Sequence, residues 1–238
     1  MGSNRGCAPI CVLNILNNFV RLHIRYNRLM RTYIFDTNFF FNLEIKSDFG
    51  SNPKEIFVLV SQYAHKLRAA GLAECYVPPR ILDEIETFID LRQDYIQNFL
   101  AEVTIKAPDK SKIHLDTEIV YALVQEIRDR SYKGLQVAEE EMEIATKALY
   151  GTNPEESRVE YQKKVGAHIR KLRDRYRNAT RTKFLDSVAD LDVIVLAKEL
   201  DGAVVTADEG VLLWARACGV REAVPSVLRQ EFDSLLQA

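Results

Sequence analysis

Apolar positions along the chain first alternate between strand-like runs and helical spacing, then lose that alternation, then recover it. The run Thr32-Tyr33-Ile34-Phe35 reads as a short buried strand, followed by a loop from Asp36 to Asn52. Asn52-Pro53-Lys54-Glu55 then carries a helix start: a capping side chain, a proline in the first turn and an acid placed to close a capping box. Ile56, Val60, Tyr63 and Leu67 fall on one side of the helix it opens, which stops near Gly71. Glu74 to Val77, closed by Pro78-Pro79, is a second strand. Ile81, Ile85, Phe88 and Ile89 mark a second helix. Strand, helix, strand, helix predicts a parallel sheet flanked by helices, an α/β fold.

The alternation stops after Ala107-Pro108-Asp109-Lys110. From Asp116 to Tyr150 nothing repeats every second residue, whereas Ile119, Leu123 and Ile127, then Leu135, Met142, Ala145 and Leu149, fit one long helix that tolerates Gly134. At about 1.5 Å per residue it would reach roughly 50 Å. Gly151-Thr152-Asn153-Pro154 reads as a turn, with Asn153 capping a second helix that runs to about Thr182. Two long antiparallel helices, polar over most of their surface, predict an arm. Strand and helix logic then resumes, with a helix over Ser187 to Leu200, a strand over Ala203 to Thr206, a helix over Val211 to Cys218 and a short last strand over Glu222 to Val224. The expected organisation is a discontinuous α/β domain of residues 30–110 and 183–238, interrupted by a helical hairpin over 116–182 and preceded by a segment over 1–29.

Length and composition fit this. The 238 residues, 47% of them hydrophobic, suffice for one sizeable core carrying an insertion. Cys7, Cys11, Cys75 and Cys218 make neither a CxxC pair nor a spaced zinc set, so a reducing cytoplasm is the expected location. No run of 18 apolar residues suggests a membrane span. The segment before Met30 bears arginines and no acid, like a transit peptide or a translated upstream region, and Met30 is a candidate start.

Charge is more telling by segment than in its total of -2. Lys163 to Lys183 holds nine Lys/Arg against the single acid Asp174, while Phe184 to Ala238 holds ten acids and four bases. On a helix, Lys163, Arg170, Arg173, Arg177 and Arg181 lie within about 80° of one another, roughly opposite Val165, Ile169, Leu172 and Tyr176. A charged helix face is often only solvated. An almost purely cationic one, mainly arginine and running into an acidic cluster, suits a phosphate backbone.

The acids form the candidate site. Asp36 and Asp208 each end an apolar run, and carboxylates at the carboxyl ends of strands in an open α/β sheet face its binding crevice. Asp186 and Asp190 stand four apart at the head of an apolar helix, where like charges on one face repel unless a cation lies between them. Asp192 points about 160° away from Asp190 and is a weaker candidate ligand. Glu84 is either a surface acid or a further carboxylate of the site. Each acid also has an ordinary reading as a cap or Asx turn; jointly they suit a hard divalent cation, Mg²⁺ or Mn²⁺, and phosphodiester chemistry.

Tyr33-Ile34-Phe35-Asp36-Thr37-Asn38 and Val204-Val205-Thr206-Ala207-Asp208 resemble the first and last acidic motifs of PIN-domain ribonucleases. The stretches Lys171 to Arg181, Leu185-Asp186-Ser187, Asp190 to Asp201, Ala207 to Gly210 and Trp214-Ala215 are similar to a narrower group, the HARP family of minimal protein-only ribonuclease P enzymes. Lys133-Gly134-Leu135 and Ala138-Glu139-Glu140 match its arm helix, and Asn38 stands where that family usually carries Ser or Thr. The resemblance covers about Met30 to Leu235. It implies a homo-oligomer, assembled through the arm, that removes the 5′ leader of precursor tRNA and leaves a 5′ phosphate. Asp36, Asp186, Asp190 and Asp208 would hold one or two Mg²⁺ (or Mn²⁺) ions, and Arg170, Arg173, Arg177 and Arg181 would contact the RNA. Two other readings are a less selective single-strand PIN ribonuclease and a non-catalytic RNA-binding scaffold beside an RNA ligase.

Overall fold

The computed structural model describes residues 30–42, 48–150, 157–181, 184–185 and 187–237. Five strands, β1 (Arg31–Phe35), β2 (Ala73–Val77), β3 (Thr104–Ile105), β4 (Ala203–Val205) and β5 (Arg221–Ala223), form one sheet in the order β3-β2-β1-β4-β5. Every pair is parallel, and Tyr33 is level with Cys75 on one side and Ala203 on the other. The chain thus builds outward from β1 in one direction and later in the other. The order reverses between β1 and β4, and the crevice of such a sheet opens at the strands' carboxyl ends there.

The helices in chain order are α1 (Thr37–Phe41), α2 (Pro53–Ala69), α3 (Pro79–Phe88), α4 (Asp94–Glu102), α5 (Thr117–Leu149), α6 (Arg158–Arg181), α7 (Val188–Glu199), α8 (Glu209–Ala217) and α9 (Leu228–Gln237). Asn52 caps α2 as its sequence requires, accepting the Glu55 N–H at 3.0 Å, and Ile56, Val60, Tyr63 and Leu67 are buried. One side of β1 meets an aromatic cluster. Phe35 touches Phe39 and Phe40, Phe40 stacks on Phe57 at 4.2 Å, and Tyr33 meets Phe232 of α9 edge-on. Ile34 alternates to the opposite side of the strand. Helix α7 packs against β1 and β4 and is buried almost all round, from Ala189 through Asp192 to Ala197.

Four elements depart from the sequence expectation. The supposed loop after Asp36 begins with α1, because Phe39 and Phe40 turn into the aromatic cluster. Helix α4 and strand β3 occupy what reads as a connection, held by the buried Ile96 and Phe99. Helix α9 closes the chain and places Phe232 against Tyr33.

Helices α5 and α6 pack along each other, and Gly134 is required there rather than tolerated. A Cβ at that position would lie 2.6 Å from the Tyr176 ring. Arg175 bridges Glu140 and the buried Glu141, which Lys171 also approaches at 3.4 Å. The expected Asn153 cap lies outside the described residues. At the root of this hairpin Lys106 and the Asp109 N–H both bind the buried Glu199 carboxylate at 2.8 Å. Where the hairpin returns, Arg130 of α5 donates to the Thr180 carbonyl of α6 at 2.8 Å and lies over the Phe184 ring, which meets Trp214 of α8 edge-on. Among the described residues no helix is long and apolar enough to cross a membrane.

Candidate active site

Asp36 leaves the end of β1 with its backbone N–H bonded to the Val205 carbonyl at 3.1 Å, which locks it to the end of β4. The residue is only 3% exposed. The Thr206 hydroxyl donates to Asp36 Oδ2, and the same hydroxyl oxygen accepts the Asp208 N–H at 3.0 Å. One threonine therefore orients both strand-ending aspartates.

Asp208 is also the N-cap of α8: its Oδ1 accepts from Gly210 N at 2.6 Å and Val211 N at 3.1 Å. Gly210 has no room for a side chain, since a Cβ would stand 2.6 Å from the Phe184 carbonyl oxygen and 2.9 Å from Asp208 Oδ1. Asp190 sits in the first turn of α7, where the Ser187 hydroxyl accepts its N–H at 3.0 Å. Glu84 comes from α3 and accepts a bond from the Thr37 hydroxyl at 2.8 Å.

Asp36, Glu84, Asp190 and Asp208 line one open cavity of about 490 Å³, together with Asn38, Phe41 and Phe88. Burial pushes the Asp36 carboxyl up to about 7, Thr206 and the Thr37 N–H pull it back down, and repulsion from Asp190 and Glu84 adds to the rise. Asn38 Oδ1 is buried and has no hydrogen-bond partner among the described residues. Crowded carboxylates beside an orphaned amide oxygen make an all-oxygen donor set, which suits a hard divalent cation. Among the described residues no three His, Cys, Asp or Glu side chains yet close on one point as a metal cluster would. Asp186 lies outside the described residues.

Asp192 corrects the sequence reading. Instead of facing the cavity it is buried at 3% exposure and paired with Arg80, because two residues past Asp190 it points around α7 toward α3. The arginine stripe is on the surface as expected: Lys163, Arg170, Arg173, Arg177 and Arg181 are all exposed on α6. Val165, Ile169 and Leu172 turn instead toward Ala138, Met142 and Ala145 of α5. Thr206 escaped the sequence reading. The available signal was a hydroxyl closing an otherwise apolar run two residues before Asp208.

A family model described as PINc domain ribonuclease matches residues 32–237. An RNA-free ribonuclease P of Hyperthermus butylicus is 38% identical over 221 residues, 90% of each chain. One from Thermococcus kodakarensis is 34% identical over 207 residues, covering 86% of this chain and 96% of its own. The chain belongs to the RNA-free ribonuclease P family of PINc-domain ribonucleases. A bacterial relative carrying the same name, from Thermodesulfovibrio yellowstonii, is 33% identical over 218 residues, 90% of this chain and 98% of its own. The family match begins inside β1, one strand residue before Tyr33, and runs through α9. It therefore includes the α5–α6 hairpin as well as the sheet and all four cavity carboxylates.

Proposed function

We propose that this protein is an RNA-free ribonuclease P: a divalent-metal-dependent endonuclease that removes the 5′ leader of precursor tRNA and leaves a 5′ phosphate on the tRNA. The observation that carries this reading is the convergence of Asp36, Glu84, Asp190 and Asp208 on one cavity at the sheet's switch point. Asp36, Asp190 and Asp208, with Asp186, would hold Mg²⁺ or Mn²⁺. When bound, such an ion supplies Lewis-acid activation of water and charge neutralisation at the phosphate.

The chain's own residues do the rest. Thr206 fixes the Asp36 carboxylate and the Asp208 backbone, so both acids present fixed directions to the cavity. Asn38 offers a neutral acceptor beside them. Arg170, Arg173, Arg177 and Arg181 would track the RNA backbone from the arm toward the cavity, reading shape rather than base sequence. The discontinuous domain of residues 30–110 and 183–238, interrupted by the arm over 116–182, fits that division of labour. The arm's exposed apolar side chains, among them Val120, Val124, Leu135 and Met142, support assembly of several copies through it. Cys75 and Cys218 are free, which suits work in the cytoplasm.

The test is cleavage of a 5′-labelled precursor tRNA with Mg²⁺ by wild type, Asp186→Ala and Asp190→Ala. A correctly placed cut, lost at least about 100-fold in each variant, is expected for groups that serve the transition state electrostatically. Undiminished activity in both variants would remove the proposed site. Equal cleavage of unstructured RNA would favour the less selective ribonuclease.

A further inference from the structure

Phe88 is spaced as a core residue in the sequence, yet it stands 62% exposed at the last position of α3. It is not a stray surface ring, of which most proteins carry several. Its ring lies 4.6 Å from that of Phe41, tilted by 30°, and both rings line the acidic cavity. Phe41 is in turn backed edge-on by Phe57 at 6.1 Å, so the pair is anchored to the aromatic core. Glu84 and Phe88 are four apart on α3 and so share a face. Glu84 enters the cavity while Phe88 stands one turn further on, at its lip.

A cavity walled by four carboxylates repels the phosphates it must process. A neutral contact is therefore one means, beside a bound cation and the arginines of α6, by which it can hold RNA close without competing with its own charges. An exposed aromatic face provides one, because every nucleobase can stack on it. At the scissile phosphate of a precursor tRNA one neighbour is base-paired in the acceptor stem, and the other, on the leader, is unpaired.

We propose that Phe88, braced by Phe41, is a stacking platform for an unpaired leader base next to the scissile phosphate. It is a positioning residue that sets how the leader enters the cavity. The inference rests on the proposed ribonuclease P activity and assigns the leader side of that substrate a protein contact.

The experiment pairs enzyme and substrate changes. Single-turnover cleavage is measured for wild type, Phe88→Ala, Phe88→Leu and Phe88→Trp, on precursor tRNA with an intact leader and with an abasic residue at each of the last two leader positions. Phe88→Ala and Phe88→Leu should raise the half-saturating enzyme concentration by roughly 5- to 150-fold while the maximal cleavage rate and the Mg²⁺ requirement hold, and Phe88→Trp should restore binding. One abasic position should cost wild type the same factor and cost Phe88→Ala nothing further. Leucine serving as well as phenylalanine, or an equal abasic penalty in wild type and Phe88→Ala, overturns the platform. Thermal melting checks that the variants fold, which a largely exposed side chain makes the expected result. A wild type that cuts no precursor tRNA would instead overturn the functional reading itself.

Discussion

The Thr206 hydroxyl donates to the Asp36 carboxylate across the seam between β1 and β4, and accepts from the Asp208 backbone with its lone pair. This makes Thr206 the joint between two acids that are 172 positions apart in the chain, Asp36 and Asp208. Thr206→Val keeps the shape and removes both bonds, leaving a buried carboxylate short of a donor. We expect a loss of about 1–3 kcal/mol of stability and a fall in kcat of at least about 10-fold, with Thr206→Ser recovering most of both. Denaturant melts and single-turnover rates would check this. A serine variant no better than valine would show that the methyl packing, not the hydroxyl, matters.

Asp36 gives the metal-free protein an unusual pH dependence. Its carboxyl is raised to about 7 in the folded state, chiefly by burial, from 3.8. Between those values the folded protein binds a proton that the unfolded chain does not. Stability conferred by this group is therefore greatest at low pH and declines as pH rises through about 4 to 7, by at most ~4 kcal/mol. A divalent cation must displace that proton, so its affinity should climb with pH and level off above about 7. Melting curves in chelator should show the midpoint falling from pH 5 to pH 8, with Mg²⁺ restoring it at pH 8 far more than at pH 5. Asp36→Asn should flatten both trends. A chelated midpoint that rises over this range would contradict the buried-carboxylate account.

Asp208 serves two ends that a single alanine cannot separate. It caps α8 through Oδ1 and lines the cavity. Asparagine can accept the same N–H bonds, so Asp208→Asn should stay within about 0.5 kcal/mol of wild type, whereas Asp208→Ala should lose about 1 kcal/mol. Both should lose cleavage by about 100-fold or more, since both remove the negative charge. An asparagine variant that melts normally and still cleaves at wild-type rate would leave Asp208 a cap and nothing more.

The parts of this fold legible in the sequence are those whose signal is local. Asn52-Pro53 and Ser187 announce their helices because a cap is chemistry within three residues, and the buried stripe of α2 repeats strictly. Asp36 and Asp208 were legible because each ends an apolar run. What was missed depends on partners far away in the chain. Phe39-Phe40-Phe41 has no period, and it takes distant rings such as Phe49, Phe57 and Phe99 to make it a helix facing a core. Phe88 has the spacing of a core residue, but α3 ends there and leaves the ring at the cavity lip. Asp192 shares its sequence neighbourhood with Asp190, and only the placement of Arg80 on α3 decides that it is a buried ion-pair partner.

Helix α6 carries two kinds of arginine, and they should separate in salt. Arg170 and Arg173 are exposed and have no ion pair among the described residues, while Arg175 is committed to Glu140 and Glu141 on α5. Cations that neutralise RNA phosphates release counterions, so the slope of log(kcat/KM) against log[salt] counts them. Arg170→Ala with Arg173→Ala should flatten that slope by roughly 1.5 and weaken binding at low salt most. Arg175→Ala should leave the slope nearly unchanged. Its cost should appear as a lower melting temperature, because Glu141 would remain buried beside Lys171 alone. If all three arginines flatten the slope equally, the stripe is no special track and the arm attracts RNA only through its overall charge.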